Sequence, residues 1–314
     1  MRKSLLIHPE ELSRKWIDRL VGHGVDTLGL HPVGGNDAEF SLERLTQRMK
    51  EPDYRALIDY ARERGLKVEY EFHGCSWLLP RSLFEDHPEY FRVDTEGNRT
   101  TKRNFCVTNE DALQIVVDRS VKLAKALYGS ENRYFFWLDD GKNLHCHCDR
   151  CKEFSASDQN LLVMNAIATA LRQEDPGAQV AYLAYHDCMA VPQKVRPTPG
   201  VFLEYAPIER CFDKPLRESM QSQIPAIKEL LDYFGTADSK VLEYWYDNSM
   251  FSKWKKPPQP FEPKNQFIPD DIAFYRELGF EDISSFACYL GEDYEVLYGE
   301  PDISAFQVIQ EVTI

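Results

Sequence analysis

The chain has 314 residues, of which 43% are hydrophobic and 28% charged, a balance that excludes wholesale disorder. Its 37 basic against 51 acidic side chains leave a net charge of -14. That charge repels phosphate at long range, so neither nucleic acid nor an anionic membrane is an expected partner. The apolar stretches are broken every few residues by Lys, Arg, Asp or Glu, and none has the length of a membrane span. The N-terminus offers only the apolar run Leu5-Leu6-Ile7, shorter than a signal peptide needs. The expected location is therefore cytoplasmic, where eight cysteines serve as thiols or metal ligands rather than disulfides.

In chain order, strand-like runs alternate with helix-like runs. The first strand, 4–8, is followed by a helix pattern over 9–20, with Leu12, Trp16, Ile17 and Leu20 on one face. A second strand, 27–33, is followed by a helix over 53–64 that ends at Arg64-Gly65. Strand 67–72 precedes a long helix, 109–127, which opens on Asn109 with Glu110 and Asp111 in its first turn. Strand 134–139 is followed by helix 158–172, and strand 179–185 comes next. Strand 201–206 is followed by helix 216–233. Strand 240–246 leads to helix 269–278, closed by Gly279, and the last strand is 283–290.

Eight such alternations match a single (β/α)8 TIM barrel spanning 1–314, a fold for which ~250 residues is typical. An open dinucleotide-binding sheet would carry a Gly-rich turn after its first strand, but here the chain runs into His8-Pro9-Glu10. Long loops are expected after strands 3, 4 and 7, at 73–108, 141–157 and 247–268, the first of them non-helical. In a closed barrel no sheet edge is left exposed, so a homo-oligomer would have to use helices or loops.

Chemistry in such barrels sits at the C-terminal strand ends. Those ends carry His8, His31, His73, Tyr185, His186, Glu204, Trp245, Tyr246 and Asp247, with Trp77 and Glu209 close behind. Carboxylates supply general acid and base, and aromatic faces stack on sugar rings. Each of these residues alone is as readily a satisfied core or loop side chain. Asp139-Asp140-Gly141 ends strand 4. Two close carboxylates cannot both ionise cheaply, so one is expected to titrate high, as a general acid must. Asp-Asp-Gly is also good turn chemistry.

Cys146-His147-Cys148-Asp149-Arg150-Cys151 follows at once. Three soft ligands in six residues suit a structural zinc, with a fourth ligand from His145, His147, Cys106 or Cys75. Free thiols in a loop, or a disulfide from Cys106 in an exported protein, are the other readings of this spacing. Cys188, Cys211 and Cys288 are scattered and carry no pattern. Nothing in the chain calls for an organic cofactor.

The stretches His73-Gly-Cys-Ser-Trp77-Leu-Leu-Pro80, His87-Pro-Glu-Tyr-Phe91, Asn104-Phe-Cys106-Val-Thr-Asn109, Asp140-Gly141 and Cys146-x-Cys148-x-x-Cys151, with Pro207-Ile208-Glu209-Arg210-Cys211, resemble the bacterial family catalogued as domain of unknown function 4838. The resemblance covers roughly residues 65–250. It implies a barrel related to glycoside hydrolases and a carbohydrate substrate. More distantly, Asp139-Asp140 resembles the catalytic pair of family 84 hexosaminidases, and family 20 has Asp-Glu there. That likeness implies that Asp139 orients the acetamido group of a substrate-assisted hexosaminidase, while Asp140 is the acid/base. It makes Tyr185, Trp245 and Tyr246 sugar-facing. Of the fourth-ligand candidates, Cys106 is taken with Cys146, Cys148 and Cys151 as the expected metal set.

With an enzyme nucleophile instead, Glu204, Glu209, Glu243 or Asp247 are the candidates. Two further readings are a metal-dependent barrel hydrolase or isomerase built on His8, His31, His73 and His186, and a non-catalytic carbohydrate-binding barrel.

Overall fold

The computed structural model describes residues 1–307. Eight parallel strands, ordered as in the chain, close into a barrel: β1 (Arg2–Ile7), β2 (Thr27–Leu30), β3 (Lys67–His73), β4 (Arg133–Trp137), β5 (Gln179–Ala184), β6 (Val201–Tyr205), β7 (Lys240–Glu243) and β8 (Asp282–Phe286). The helices between them are α1 (Arg14–Gly22), α2 (Ala38–Arg48), α3 (Pro52–Glu63), α4 (Cys75–Leu78), α5 (Glu110–Ala126), α6 (Ala156–Glu174), α7 (Leu216–Ser219), α8 (Ile224–Phe234), α9 (Asn248–Phe251), α10 (Ile268–Leu278) and α11 (Glu292–Tyr298). This is the (β/α)8 barrel. Among the described residues no helix is long and apolar enough to cross a membrane.

The eight strands fall where the sequence places them, but most stop sooner. The aromatic run Tyr244-Trp245-Tyr246 reads as strand, yet β7 ends at Glu243, where its ladder with β8 stops. Asp247 then caps α9 by accepting from the Ser249 backbone amide at 3.1 Å. The helix expected over 9–20 is a 3-10 turn, Pro9–Glu11, followed by α1, because Ser13 accepts from the Trp16 amide and starts the helix there. The helix expected over 216–233 is broken between α7 and α8, and Pro225 sits in the first turn of α8. The insertion after β3 is not wholly non-helical, since it holds α4 and two 3-10 turns.

The residues group into two compact units. One comprises 1–31, 53–69 and the chain from 204 onward; the other comprises 32–52 and 70–203. In the first, β1 lies between β2 and β8, pairing Leu5 with Leu28 and with Ser285. Its interior buries charge in pairs: Lys240 Nζ meets Glu69 at 3.1 Å and Glu204 at 3.9 Å, all fully or almost fully enclosed. In the second, β3 pairs with β4, His73 opposite Trp137, over a core of Phe72, Phe135, Phe136 and Trp137. Two capped helices brace this unit. Asn109 caps α5, and Ser155 and Asp158 form a reciprocal capping box on α6.

Candidate functional site

Asp139 and Asp140 follow β4 directly, and the chain turns away at Gly141, whose φ of +135° suits only glycine. A side chain there would also press on Leu144. The two carboxylates have different surroundings. Asp139 is buried and accepts from the Ser76 amide at 3.0 Å, the Ser76 hydroxyl at 2.7 Å and the Asn104 amide. The Asn104 side chain returns the contact, accepting from the Asp139 amide at 2.7 Å and donating to the Leu144 carbonyl at 3.1 Å. Asp139 thus ties the loop after β3 to the end of β4. Asp140 is half-exposed, its side chain 35% accessible. Tyr185 donates to its Oδ1 at 3.0 Å, and His186 Nε2 stands 3.9 Å from the same oxygen.

The Asp140 surroundings come from β3, β4 and β5. His73 donates through Nδ1 to the Leu138 carbonyl and packs edge-on against Trp137. The Tyr185 and His186 rings lie 3.8 Å apart, with His186 in the left-handed region at φ +47°. Asp187 accepts from the Asn143 amide. A cleft of about 40 Å³ runs between Asp139, Tyr185, His145 and Asp187. So His73, Asp139, Asp140, Tyr185 and His186 come together in this unit. Sequence reasoning missed Ser76, Asn104 and Asp187. Arg103-Asn104, both with positive φ, carried the available signal, because Asn is among the residues that tolerate that region.

Trp77 turns elsewhere: its indole N–H donates to Glu43 of α2 at 2.9 Å, and Arg119 of α5 lies over its ring at 4.4 Å. It packs the outer helices.

In the other unit, His8 and His31 are both buried. His8 Nδ1 donates to the His31 carbonyl at 2.7 Å, and Tyr289 meets its ring edge-on. Burial holds the His8 imidazole below its ordinary pKa despite Asp247 nearby, so it is a neutral Nδ1–H tautomer. Burial also pushes Asp247 up, against the Ser249 hydroxyl and amide that bond it. Glu204 is enclosed beside Lys240, Glu209 is exposed, and Tyr246 is fully buried with its hydroxyl 3.4 Å from Asn265.

Trp245 and Glu243 belong to a closed network. Arg210 donates to Glu243 and to Asp271, each at 2.7 Å; Tyr275 donates to Glu243 at 2.6 Å, and the Trp245 indole to Asp271 at 3.1 Å. Above it opens a cavity of about 360 Å³ lined by Phe212, Phe251, Phe261 and Phe267.

Glu11 accepts from the His8 amide at 3.0 Å, while its other oxygen is buried without a partner among the described residues. Burial pushes its pKa up to about 7. A carboxyl raised on folding favours the native state at low pH and loses that contribution as pH rises through about 7. Glu11→Gln should therefore melt a few degrees above wild type at pH 8, with the gap shrinking toward pH 5. Equal gaps in melts at the two pH values would contradict this.

The four sulfurs of Cys106, Cys146, Cys148 and Cys151 all lie within 4.8 Å of one another. Cys106 stands 3.6 Å from Cys148 and 3.8 Å from Cys151. A disulfide requires about 2.05 Å, whereas four sulfurs each about 2.3 Å from a tetrahedral zinc are about 3.8 Å apart. Amides of Val93 and Cys151 point at Cys146 and Cys148, and the buried Gln159 bonds the backbone of Cys146 and Cys151. Hydrogen bonds from neighbouring thiols pull the Cys106 pKa down and push that of Cys151 up. The donor set fits zinc. The His145 and His147 rings meet at a tilt, centroids 4.2 Å apart, and Cys75 is buried near Asp139, all outside the sulfur group. Nor do His8, His31, His73 and His186 join any group of metal-competent side chains among the described residues.

A family model, the domain of unknown function DUF4838, matches residues 38–295. The chain belongs to this family. No curated protein sequence matches it. Solved structures that share the barrel include the following three. A β-galactosidase from the psychrophilic Marinomonas ef1 is 11% identical at TM-score 0.50, over 91% of this chain and 54% of that one. A GH5-4 broad specificity endoglucanase from an uncultured bacterium is 11% identical at 0.52, over 95% and 84%. The tandem GH20 catalytic modules of the pneumococcal exo-β-D-N-acetylglucosaminidase StrH are 13% identical at 0.51, over 98% and 82%. The chain thus spans about half the length of the galactosidase. At these identities the likeness is one of fold.

Proposed function

We propose that this DUF4838 protein is a glycoside hydrolase with Asp140 as general acid/base. The observation that carries the reading is the contrast between the neighbouring carboxylates. Asp140 is half-exposed at a barrel-strand end and held by the Tyr185 hydroxyl, as a group that must exchange protons with substrate needs to be. Asp139 has both oxygens engaged by Ser76 and Asn104. In this reading it is the partner that fixes Asp140, and its hold on Ser76 and Asn104 counts against a direct role in orienting an acetamido group. The glycosidase neighbours of the fold support the class. Among the carboxylates weighed as nucleophile, Glu243 is committed to Arg210 and Tyr275, and Asp247 to α9. Turnover of aryl glycosides that disappears in Asp140→Asn is the test; equal turnover in wild type and variant contradicts the assignment.

The four cysteines, in the same reading, hold a structural zinc. The metal would join Cys106 of the β3 loop to the β4 loop, two residues from the Asn104 contact with Asp139. Metal analysis should find about one zinc per chain, lost in Cys148→Ser, and chelation should lower the melting temperature by several degrees. A metal-free wild type with an unchanged melt would contradict it.

A further inference from the structure

In a chain of net charge -14, one cavity is basic. It has a volume of about 450 Å³ and is lined by Arg81, Arg92, Lys102 and Arg103, with Glu39 as its one carboxylate and the Ser76 and Thr101 side chains beside them. Among the described residues none of these four cations is ion-paired with a carboxylate. Arg81 spends its N–H groups on five backbone carbonyls: Cys75, Ser76, Leu79, Thr101 and Asn104. Its hydrogen bonds are satisfied by carbonyls, it makes no direct ion pair although Asp139 and Glu39 act on it from further off, and it is rigidly placed. Arg103 donates to the Gly35 carbonyl and to Asn36. Arg92 is only 6% exposed, and while its Nε donates to the Lys102 carbonyl at 2.9 Å, its Nη1 is buried with no partner among the described residues. Burial lowers the pKa of both Arg81 and Arg92, against the opposing pull of Asp139 on each, of Glu39 on Arg81 and of Asp94 on Arg92, so holding these cations out of water has a cost that the nearby carboxylates only partly offset.

Loop stapling accounts for Arg81, but not for a spare buried guanidinium N–H on Arg92 or for Lys102 and Arg103 at the same cavity. Planar guanidinium groups suit oxyanions. The cavity also adjoins the candidate site. Ser76, in its wall, holds Asp139, and Leu144 lines both this cavity and the cleft beside Asp139.

We propose that this cavity binds the anionic group of an acidic sugar, a carboxylate, sulfate or phosphate, making the substrate a charged carbohydrate. The sugar rests on the glycosidase reading, whereas the anion site stands on the cavity alone. Calorimetric titration of the whole protein at low ionic strength tests it with glucuronate, glucose 6-sulfate and glucose 6-phosphate, glucose as the neutral control, and inorganic sulfate as the free anion. Neither exposed Lys102 nor Arg103 holds Asp139 or the cysteines, so Lys102→Ala/Arg103→Ala spares both. Binding of at least one acidic sugar tenfold or more tighter than glucose is expected. It should weaken tenfold or more in the double variant, and with salt. The acidic sugar that binds best identifies the anion. Inorganic sulfate bound with the same loss in the variant, but no acidic sugar, would keep the anion site and overturn the carbohydrate. Equal response to charged and neutral sugars without sulfate binding, or equal affinity in the folded variant, would overturn the proposal. Because no turnover is measured, acidic-sugar binding without hydrolysis would leave this site intact while the glycosidase reading fell.

Discussion

Asp140→Asn should cut glycoside turnover by a hundredfold or more and leave the melting temperature within a few degrees of wild type. Asp139→Asn should do the reverse in proportion, destabilising the protein by about 2–3 kcal/mol. The difference follows from their partners. Asp140 is half-exposed, with one close hydrogen bond, from Tyr185. An amide there keeps an oxygen acceptor but cannot give up a proton. Asp139 is buried and accepts from three donors spread over both oxygens. An amide puts an N–H against at least one N–H or O–H, leaving buried donors facing each other. Turnover and thermal melts of both variants, side by side, check this. An inactive Asp140→Asn that is also poorly folded would remove the distinction, as would an Asp139→Asn variant as stable as wild type.

Arg210→Met should cost about 3–5 kcal/mol and lower the melting temperature by of order 10 °C. Arg210, Glu243 and Asp271 have side chains no more than 1% exposed. Removing the cation leaves two carboxylates enclosed together, with Tyr275 and Trp245 still donating to them. Burial already pushes Glu243 up, and without Arg210 it rises further. A carboxyl raised on folding contributes most at low pH, so the penalty should be smaller at pH 5 than at pH 8. The Trp245 indole, bonded to Asp271, gives a fluorescence reading of whether the network has loosened. Unchanged stability would mean that the network does not brace the loops after β6 and β7.

The barrel was legible in the sequence because eight β-rich runs alternate with amphipathic ones, and each run became a strand. Strand ends were less legible, for a physical reason. Tyr244, Trp245 and Tyr246 have the composition of a strand, but the ladder stops at Glu243, and composition carries no information about register. Helix α2, between the second strand and the helix over 53–64, was not picked out: Ala38, Ser41, Leu42 and Leu45 are its buried face, and two of those four are small. Of the site, the grouping of His73, Tyr185 and His186 around Asp139-Asp140 followed from strand order alone. Two things did not. The role of Asp139 depends on Ser76 and Asn104, more than thirty residues away, and the direction of Trp77 on Glu43 and Arg119. The basic cavity is likewise invisible in a sequence whose overall charge is negative, since Arg81, Arg92, Lys102 and Arg103 are brought together by the folding of a single loop.

The most direct test of the central claim is release of the aryl group from a panel of aryl glycosides, including N-acetylhexosaminides and uronides, with Asp140→Asn as the blank. The account predicts turnover of at least one member by wild type and its loss in the folded variant. Turnover that survives in Asp140→Asn would contradict it.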